Sequence, residues 1–212
     1  MAKPIVYGTP LSTYVRTTRM TLLEKGVDYD HVDVGVLDGE CKGPEHVARN
    51  PFGKVPAVEH DGFLFYETGA IVRYIDQVFP DPPLAPAEPR ARAGMNQVIS
   101  IHDYHGYDSI ILDVVAYFFF ADFVGGQDED RLARGKERAA LCLSEWERIM
   151  GEGGFLAGDD LSLADLYVAP SIFYLSLTPV ADELLSPHPR FQEWWAAIST
   201  RDSMKATEPD LG

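Results

Sequence analysis

The chain has 212 residues, a length that accommodates one large domain or two small ones with a sizeable hydrophobic core. Hydrophobic residues make up 46% of it, as in ordinary folded proteins, and its formal net charge is -15. Because nucleic acids and anionic membrane surfaces bind clustered lysine and arginine, this charge argues against both as partners.

The cysteines and the apolar runs indicate a compartment. Cys41 and Cys142 are the two cysteines, and they do not form a disulfide framework, which indicates a reducing environment. The N-terminal residues lack the apolar core of a signal peptide, and the longest apolar stretch, 114–120, is far shorter than the ~18 residues of a membrane span. We therefore expect a cytoplasmic protein.

The first eighty residues alternate strand-like and helix-like patterns. A short apolar strand at Ile5–Tyr7 precedes a helical pattern at 13–25, which Gly26 ends. Aromatic or β-branched residues alternate with acidic ones at 29–34 and predict a second strand. This strand–helix–strand unit is expected to be right-handed, with parallel strands.

A β-hairpin is predicted next, because Asp61-Gly62 separates the strand-like runs 55–59 and Phe63–Tyr66. A helix at about 68–79 follows. The order strand, helix, strand, hairpin and helix fits a thioredoxin-like α/β layer.

The chain changes character after a stretch rich in proline. Five prolines crowd this stretch: Pro80, Pro82, Pro83, Pro86 and Pro89. Such a run is neither helix nor central strand, and it is typical of an interdomain linker.

Only helical patterns follow the linker. They are predicted at 90–119, with a break near Gly106, at Glu129–Met150, and at 189–199 as the last helix. Ser162-Leu163-Ala164-Asp165 is a capping box that begins another helix.

These patterns together predict three parts of the chain. A thioredoxin-like domain occupies 1–79, a proline-rich linker 80–90, and an all-helical domain 91–212.

Ser12 lies where the first strand turns into the first helix. A hydroxyl there caps backbone N–H groups or faces a ligand. Since the positive end of the helix dipole lies beside it, an anion is favoured at that position. Taken alone, the simple helix cap is the plainer interpretation.

Five segments, in order and at the right spacing, make nearly the whole chain resemble the cytosolic glutathione transferases. They are Tyr7-Gly8-Thr9-Pro10-Leu11-Ser12 with Arg16 and Glu24-Lys25-Gly26, Gly39-Glu40-Cys41-Lys42, Asn50-Pro51-Phe52-Gly53-Lys54-Val55-Pro56, Glu67-Thr68-Gly69-Ala70-Ile71, and 161–165. The resemblance implies a thioredoxin-like α/β N-terminal domain and an all-α C-terminal domain. It is greatest to the serine-type members, near the phi and theta classes, with a bacterial type of sequence.

The family's functional residues map onto this sequence through those segments. Ser12 matches the catalytic serine, which donates a hydrogen bond to the glutathione thiolate. Pro56 matches the family's cis-proline, which leaves the backbone of Val55 free to pair with the cysteinyl part of glutathione. Glu67 and Thr68 match the pair that holds the γ-glutamyl end. Without the resemblance, Pro56 suits an edge strand, and Glu67-Thr68 a helix start.

Three further residues would lie near glutathione. Lys42 and Lys54 would face its glycyl carboxylate, although solvated surface charges are the alternative. Cys41 stands where phi-class members usually carry histidine, a departure that weakens one expected contact. Its thiol is either inert or able to form a mixed disulfide with glutathione. Thr68 replaces a more frequent serine and keeps the hydroxyl.

The second substrate and the partner subunit are also implied by the resemblance. Leu11, Tyr104, Tyr107 and Ile111 would line a pocket for a small apolar electrophile, with core packing as the alternative for the helical residues. Phe52 matches a position that contacts the other subunit of a homodimer in some members. Packing within its own chain is the alternative.

The implied function is conjugation of the glutathione thiolate, as co-substrate, to small apolar electrophiles. His102 and His105 lack a third ligand at metal spacing, so no metal is expected. A thiol oxidoreductase would need a cysteine near position 12, where serine stands. A glutathione-dependent isomerase or dehalogenase, and a non-catalytic binding protein on the same fold, are the alternatives.

Overall fold

The computed structural model describes residues 2–211; Met1 and Gly212, the outer ends of the predicted domains, lie outside the described residues. Contacts divide the chain into two compact units. The first combines residues 2–84 with residues 201–211, and the second contains residues 85–200.

This division differs from the predicted domains in two places. The sequence pattern assigns residues 201–211 to the helical domain, whereas their contacts join them to the first unit. The stretch 80–90, predicted as one linker, is divided after Leu84.

The first unit contains a four-stranded sheet in the order β2-β1-β3-β4. The strands are β1 (Ile5–Tyr7), β2 (Asp30–Val32), β3 (Ala57–His60) and β4 (Phe63–Tyr66). β1 pairs with β2 in parallel, while β3 pairs antiparallel with both β1 and β4. The predicted parallel pair and the predicted hairpin are both confirmed.

Three helices accompany this sheet. They are α1 (Thr13–Glu24), the short α2 (Pro44–Val47) and α3 (Thr68–Val78), with a 3-10 turn at Glu40–Lys42 before α2. Apolar side chains of β1, α1, β3 and α3 form the buried core: Val6, Val15, Leu22, Val58, Ile71 and Ile75. The packing fixes α1 and α3 against the sheet, and with them the residues at which each helix begins.

The second unit is helical apart from its connections. Its helices are α4 (Pro89–Ile101), a π-helical continuation (His102–Val115), α5 (Ala116–Phe119), α6 (Glu129–Met150), α7 (Leu163–Ser176), α8 (Ala181–Leu185) and α9 (Pro189–Ile198). The predicted break near Gly106 is wrong, because the helix widens at His102 and continues past that glycine. A Cβ at Gly106 would lie only 2.9 Å from the Trp146 ring, so glycine serves close packing here.

The capping box at the start of α7 is confirmed. Asp165 is fully buried and accepts hydrogen bonds from the backbone N–H groups of Leu156 and Ser162, the Ser162 hydroxyl and the Trp194 indole, each at 2.8 Å. Burial raises the pKa of this carboxyl, and the four donors oppose that rise. The box therefore also fastens α7 to the preceding loop and to α9.

One more helix, α10 (Asp202–Ala206), follows the helix predicted to be the last. Its segment packs against α1, where the Arg201 guanidinium binds the Glu24 carboxylate and the buried Arg16 donates to the Met204 carbonyl at 3.2 Å. These bonds join residues 201–211 to the first unit.

Candidate functional site

Three strand ends lie at one edge of the sheet. Tyr7, the last residue of β1, lies opposite Ala57, the first residue of β3, and Ala57 lies opposite Tyr66, the last residue of β4. The segments that continue from these ends therefore meet at the same edge, which we call the site edge. They carry Ser12, Val55-Pro56 and Glu67-Thr68.

The turn from β1 to α1 depends on a close approach at Gly8. A Cβ at Gly8 would lie 2.5 Å from Cγ2 of Val15 and 2.9 Å from Cβ of Val55, and its φ is +152°. Only glycine allows β1, α1 and the segment before β3 to come this near. The Ser12 N–H then closes the turn on the Thr9 carbonyl at 3.1 Å.

Ser12 is the N-cap of α1 and is half-buried. Its Oγ accepts from the Val15 N–H at 3.4 Å, a long bond for a cap. Accepting uses a lone pair, so the hydroxyl hydrogen stays available to a ligand at the helix N-terminus. Capping and ligand binding are therefore compatible at this residue.

His31 supports the same turn, a role that sequence reasoning missed. Its Nε2 lies 2.7 Å from the Gly8 carbonyl oxygen. Burial lowers the pKa of His31, against the opposing effect of that bond, which favours a neutral ring that donates from Nε2. His31 lies on β2 beside β1, and no local motif distinguishes it from an ordinary strand residue.

The segment before β3 contains a cis peptide bond between Val55 and Pro56, as the resemblance implies. The preceding carbonyl, that of Lys54, accepts from His46 Nε2 and from Asn50 Nδ2, each at 2.8 Å. Both donors are only 2% exposed. His46 was missed from the sequence, where its position in a short helix carries no motif.

Glu67 and Thr68 join β4 to α3. Glu67 has φ +73° and ψ 109°, a strained backbone for a residue with a side chain, and that side chain is exposed. Thr68 is buried and is the first residue of α3, whose first N–H groups have no partner within the helix. Strain of this kind is typical of functional positions.

Cys41 lies in the 3-10 turn rather than in an irregular loop and is 3% exposed. It packs with Tyr7, Val34 and Ala57, and Tyr7 and Ala57 are the paired strand ends at the site edge. Lys42 and Lys54 are exposed, and the Lys42 ammonium donates to the Phe52 carbonyl at 3.3 Å. The thiol is thus part of the packing, while both ammonium groups face solvent.

The residues predicted for the second substrate fall in both units. Leu11 is half-buried in the first unit. In the second, Tyr104 is 76% exposed, whereas Tyr107 and Ile111 are half-buried in the π-helical continuation. Burial raises the pKa of Tyr107, and the Asp108 carboxylate adds to the rise. Core packing does not account for Tyr104.

Phe52 is 63% exposed, and its ring meets the Tyr66 ring edge-on, with 6.0 Å between centroids. It therefore packs partly within its own chain and leaves much of its surface open.

Between residues 2 and 211, no helix is long and apolar enough to cross a membrane. In the same part of the chain, no group of three or more histidine, cysteine, aspartate or glutamate side chains is arranged to hold a metal ion.

Two protein-family models match this chain. The model of the glutathione S-transferase N-terminal domain matches residues 2–77, and that of the C-terminal domain matches residues 129–197. Glutathione S-transferase F6 of Arabidopsis thaliana is 34% identical over 209 residues, which cover 96% of this chain and 98% of that protein. The chain belongs to the glutathione S-transferase family.

Solved structures agree with this assignment. Glutathione transferase F2 from Populus trichocarpa matches with a TM-score of 0.86 and 31% identity, over 96% of each chain. A maize glutathione S-transferase I, solved in complex with an atrazine glutathione conjugate, matches with a TM-score of 0.84 and 26% identity, over 97% of this chain and 96% of that one.

The predicted fold and enzyme class are therefore confirmed, and glutathione is the co-substrate that this transferase conjugates to electrophiles. These matches are plant proteins and give no support to a bacterial type of sequence.

Proposed function

We propose that Ser12 donates a hydrogen bond to the glutathione thiolate, which then attacks a small apolar electrophile. The observation that carries this proposal is the meeting of three segments at the site edge, with Ser12 at the N-terminus of α1. The phi class is favoured within the family by similarity to glutathione S-transferase F6.

A hydrogen bond from Ser12 and the α1 dipole together are strong enough to ionise the glutathione thiol. A free thiol has a pKa near ~8.5, so only a few per cent is ionised at neutral pH. A hydrogen bond to a charged group contributes roughly 1.5–3 kcal/mol, enough to lower the thiol pKa by about 1–2 units. The α1 dipole adds about 0.3–1 kcal/mol. Ser12 acts as a donor, and the nucleophile is the thiolate itself.

The rest of glutathione is proposed to lie along the site edge. The Val55 backbone beside Pro56 pairs with the cysteinyl part as an added strand would. The exposed Glu67 carboxylate binds the γ-glutamyl ammonium, and the Thr68 N–H at the start of α3 binds the γ-glutamyl carboxylate.

The glycyl end is proposed to meet the two exposed lysines. Lys42 and Lys54 supply the positive charge for the glycyl carboxylate. Cys41 is buried in the same 3-10 turn as Lys42 and supports that turn by packing instead of a polar contact with glutathione.

The electrophile is proposed to bind at Leu11, Tyr104, Tyr107 and Ile111. Exposure of Tyr104 supports a role outside the core. The exposed ring of Phe52 is proposed to contact a second copy of the chain in a homodimer. A cytoplasmic location is supported by the two free cysteines.

Calorimetry and ultraviolet absorbance test the role of Ser12. Ser12→Ala is expected to bind glutathione nearly as well as the wild type, to lose the absorbance of the bound thiolate, and to turn over about tenfold to a hundredfold more slowly. An unchanged turnover number would remove Ser12 from the mechanism. Absence of glutathione binding by the wild type would overturn the proposed site.

A glutathione-dependent isomerase or dehalogenase would bind glutathione through the same residues as a conjugating transferase. The reaction products therefore distinguish the three activities. Incubation with 1-chloro-2,4-dinitrobenzene is expected to yield the dinitrophenyl conjugate. A chain that turns over only isomerisable or halogenated substrates, without a stable conjugate, would instead belong to one of those two classes.

A further inference from the structure

Within residues 2–211, the peptide group between Lys54 and Val55 is hydrogen-bonded through its carbonyl oxygen and not through its N–H. Its carbonyl oxygen accepts two hydrogen bonds of 2.8 Å, from His46 Nε2 and Asn50 Nδ2. Both side chains are almost fully buried, so water does not compete for either bond.

The donor atoms in these bonds are fixed by their neighbours. Asn50 Oδ1 accepts from the Phe52 N–H at 3.1 Å, so its amide nitrogen is the group that faces Lys54. A carbonyl oxygen only accepts, so His46 must carry its hydrogen on Nε2. Within residues 2–211, His46 Nδ1 is buried and has no hydrogen-bond partner.

The other side of this peptide group faces the proposed ligand. A trans peptide points its C=O and N–H in opposite directions, so fixing the Lys54 carbonyl fixes the direction of the Val55 N–H. No residue between 2 and 211 accepts a hydrogen bond from that N–H. Two donors on the carbonyl also polarise the amide, and each bond in such a chain strengthens the next by roughly 10–30%.

We infer that His46 is a positioning residue for glutathione: it orients and polarises the Lys54–Val55 peptide, so that the Val55 N–H donates to the cysteinyl carbonyl of glutathione. This inference rests on the proposed pairing of Val55 with the cysteinyl part. His46 touches no ligand and acts through the peptide group.

The test compares two ligands and two variants by calorimetry. One ligand is glutathione, and the other is its analogue with a methylene in place of the cysteinyl carbonyl, which cannot accept from Val55. His46→Met removes the donor and is expected to weaken glutathione binding about threefold to tenfold, with the analogue unaffected. His46→Gln keeps a donor amide and is expected to restore most of the affinity for glutathione.

His60→Met is the matched control, because His60 is equally buried in the same unit and bonds Tyr74 and Ala2 instead. It is expected to leave the ratio of the two affinities unchanged. If His46→Met weakens both ligands equally, or neither, the inference is overturned. If the wild type itself binds both ligands equally, the proposed pairing of Val55 fails instead.

Spectra of the wild-type protein test the inference without relying on a variant that must fold. Long-range proton–nitrogen spectra of labelled protein report the tautomer of His46, and the hydrogen is expected on Nε2. A hydrogen on Nδ1 would overturn the inference. The Val55 amide proton is also expected to shift downfield when glutathione, and not the analogue, is added.

Discussion

Arg201 and Glu24 form a two-point ion pair between residues 177 positions apart, with Nε to Oε1 at 2.8 Å and Nη2 to Oε2 at 2.6 Å. The Ser203 hydroxyl adds a third bond to the same carboxylate. Burial raises the pKa of Glu24, but the bonds from Arg201 and Ser203 outweigh it and bring the pKa below its usual value.

This pair predicts a stability that depends on pH. A carboxyl whose pKa is lowered by folding stabilises the protein above its unfolded pKa of about 4.3, and the contribution is lost as the pH falls through the folded value. Glu24→Gln is expected to lower the free energy of unfolding at pH 7 by on the order of 1.5 kcal/mol. Urea denaturation should show this difference shrink as the pH falls below about 4.3.

Arg148→Met is the control for that experiment, because Arg148 binds Glu145 with similar geometry on an exposed surface. Exposed pairs contribute about 0–1 kcal/mol, so little change is expected. Equal losses in both variants would show that the position of the Glu24 pair has no special importance.

Glu67 offers a test that separates ligand binding from stability. Glu67→Gln removes the charge and is expected to weaken glutathione binding about tenfold, without slowing the chemical step. Glu67→Gly removes the carboxylate and also relieves the positive φ, so it should bind glutathione weakly while unfolding at an equal or higher temperature. Calorimetry with unaltered affinity in both variants would contradict the proposed role.

The two thiols are expected to react slowly in the native protein. Cys41 and Cys142 are free and buried, and burial raises the pKa of the Cys142 thiol. Titration with a disulfide reagent should release little chromophore until denaturant is added, and two equivalents afterwards. Rapid native reaction of one thiol, assigned to Cys41 by its absence in Cys41→Ser, would favour the mixed disulfide over the inert thiol.

Asp165 is expected to be costly to replace. Asp165→Ala leaves four buried donors without their acceptor, and a loss of about 3–5 kcal/mol is expected from thermal or urea unfolding. Ser176→Ala, which deletes a single hydroxyl at the other end of α7, is the comparison and should lose far less. A loss below about 1 kcal/mol for Asp165→Ala would contradict this account.

Much of the fold was predictable because its signals are local. The bounds of Glu129–Met150, the capping box at Ser162 and the hairpin at Asp61-Gly62 each follow from residues within a few positions. The same holds for Ser12 at a helix start.

The remainder depends on contacts that are distant in sequence. α10 has five residues and forms against α1, where Ser203 binds Glu24. The bond from His46 to the Lys54 carbonyl spans a turn, and no pattern in the intervening residues indicates it. The widened helix at His102 arises among buried aromatic rings, including Trp146 and Tyr167. Periodicity does not report such contacts.

The contacts of residues 201–211 with α1 have a consequence for dissecting this enzyme. A fragment that stops at Leu84 would carry the whole sheet but would leave Glu24 without Arg201, and Arg16 without the Met204 carbonyl. An autonomous version of the first unit would need residues 201–211 grafted back through a new peptide linker. During synthesis, α1 likewise waits for its final partners until residues 201–204 have left the ribosome.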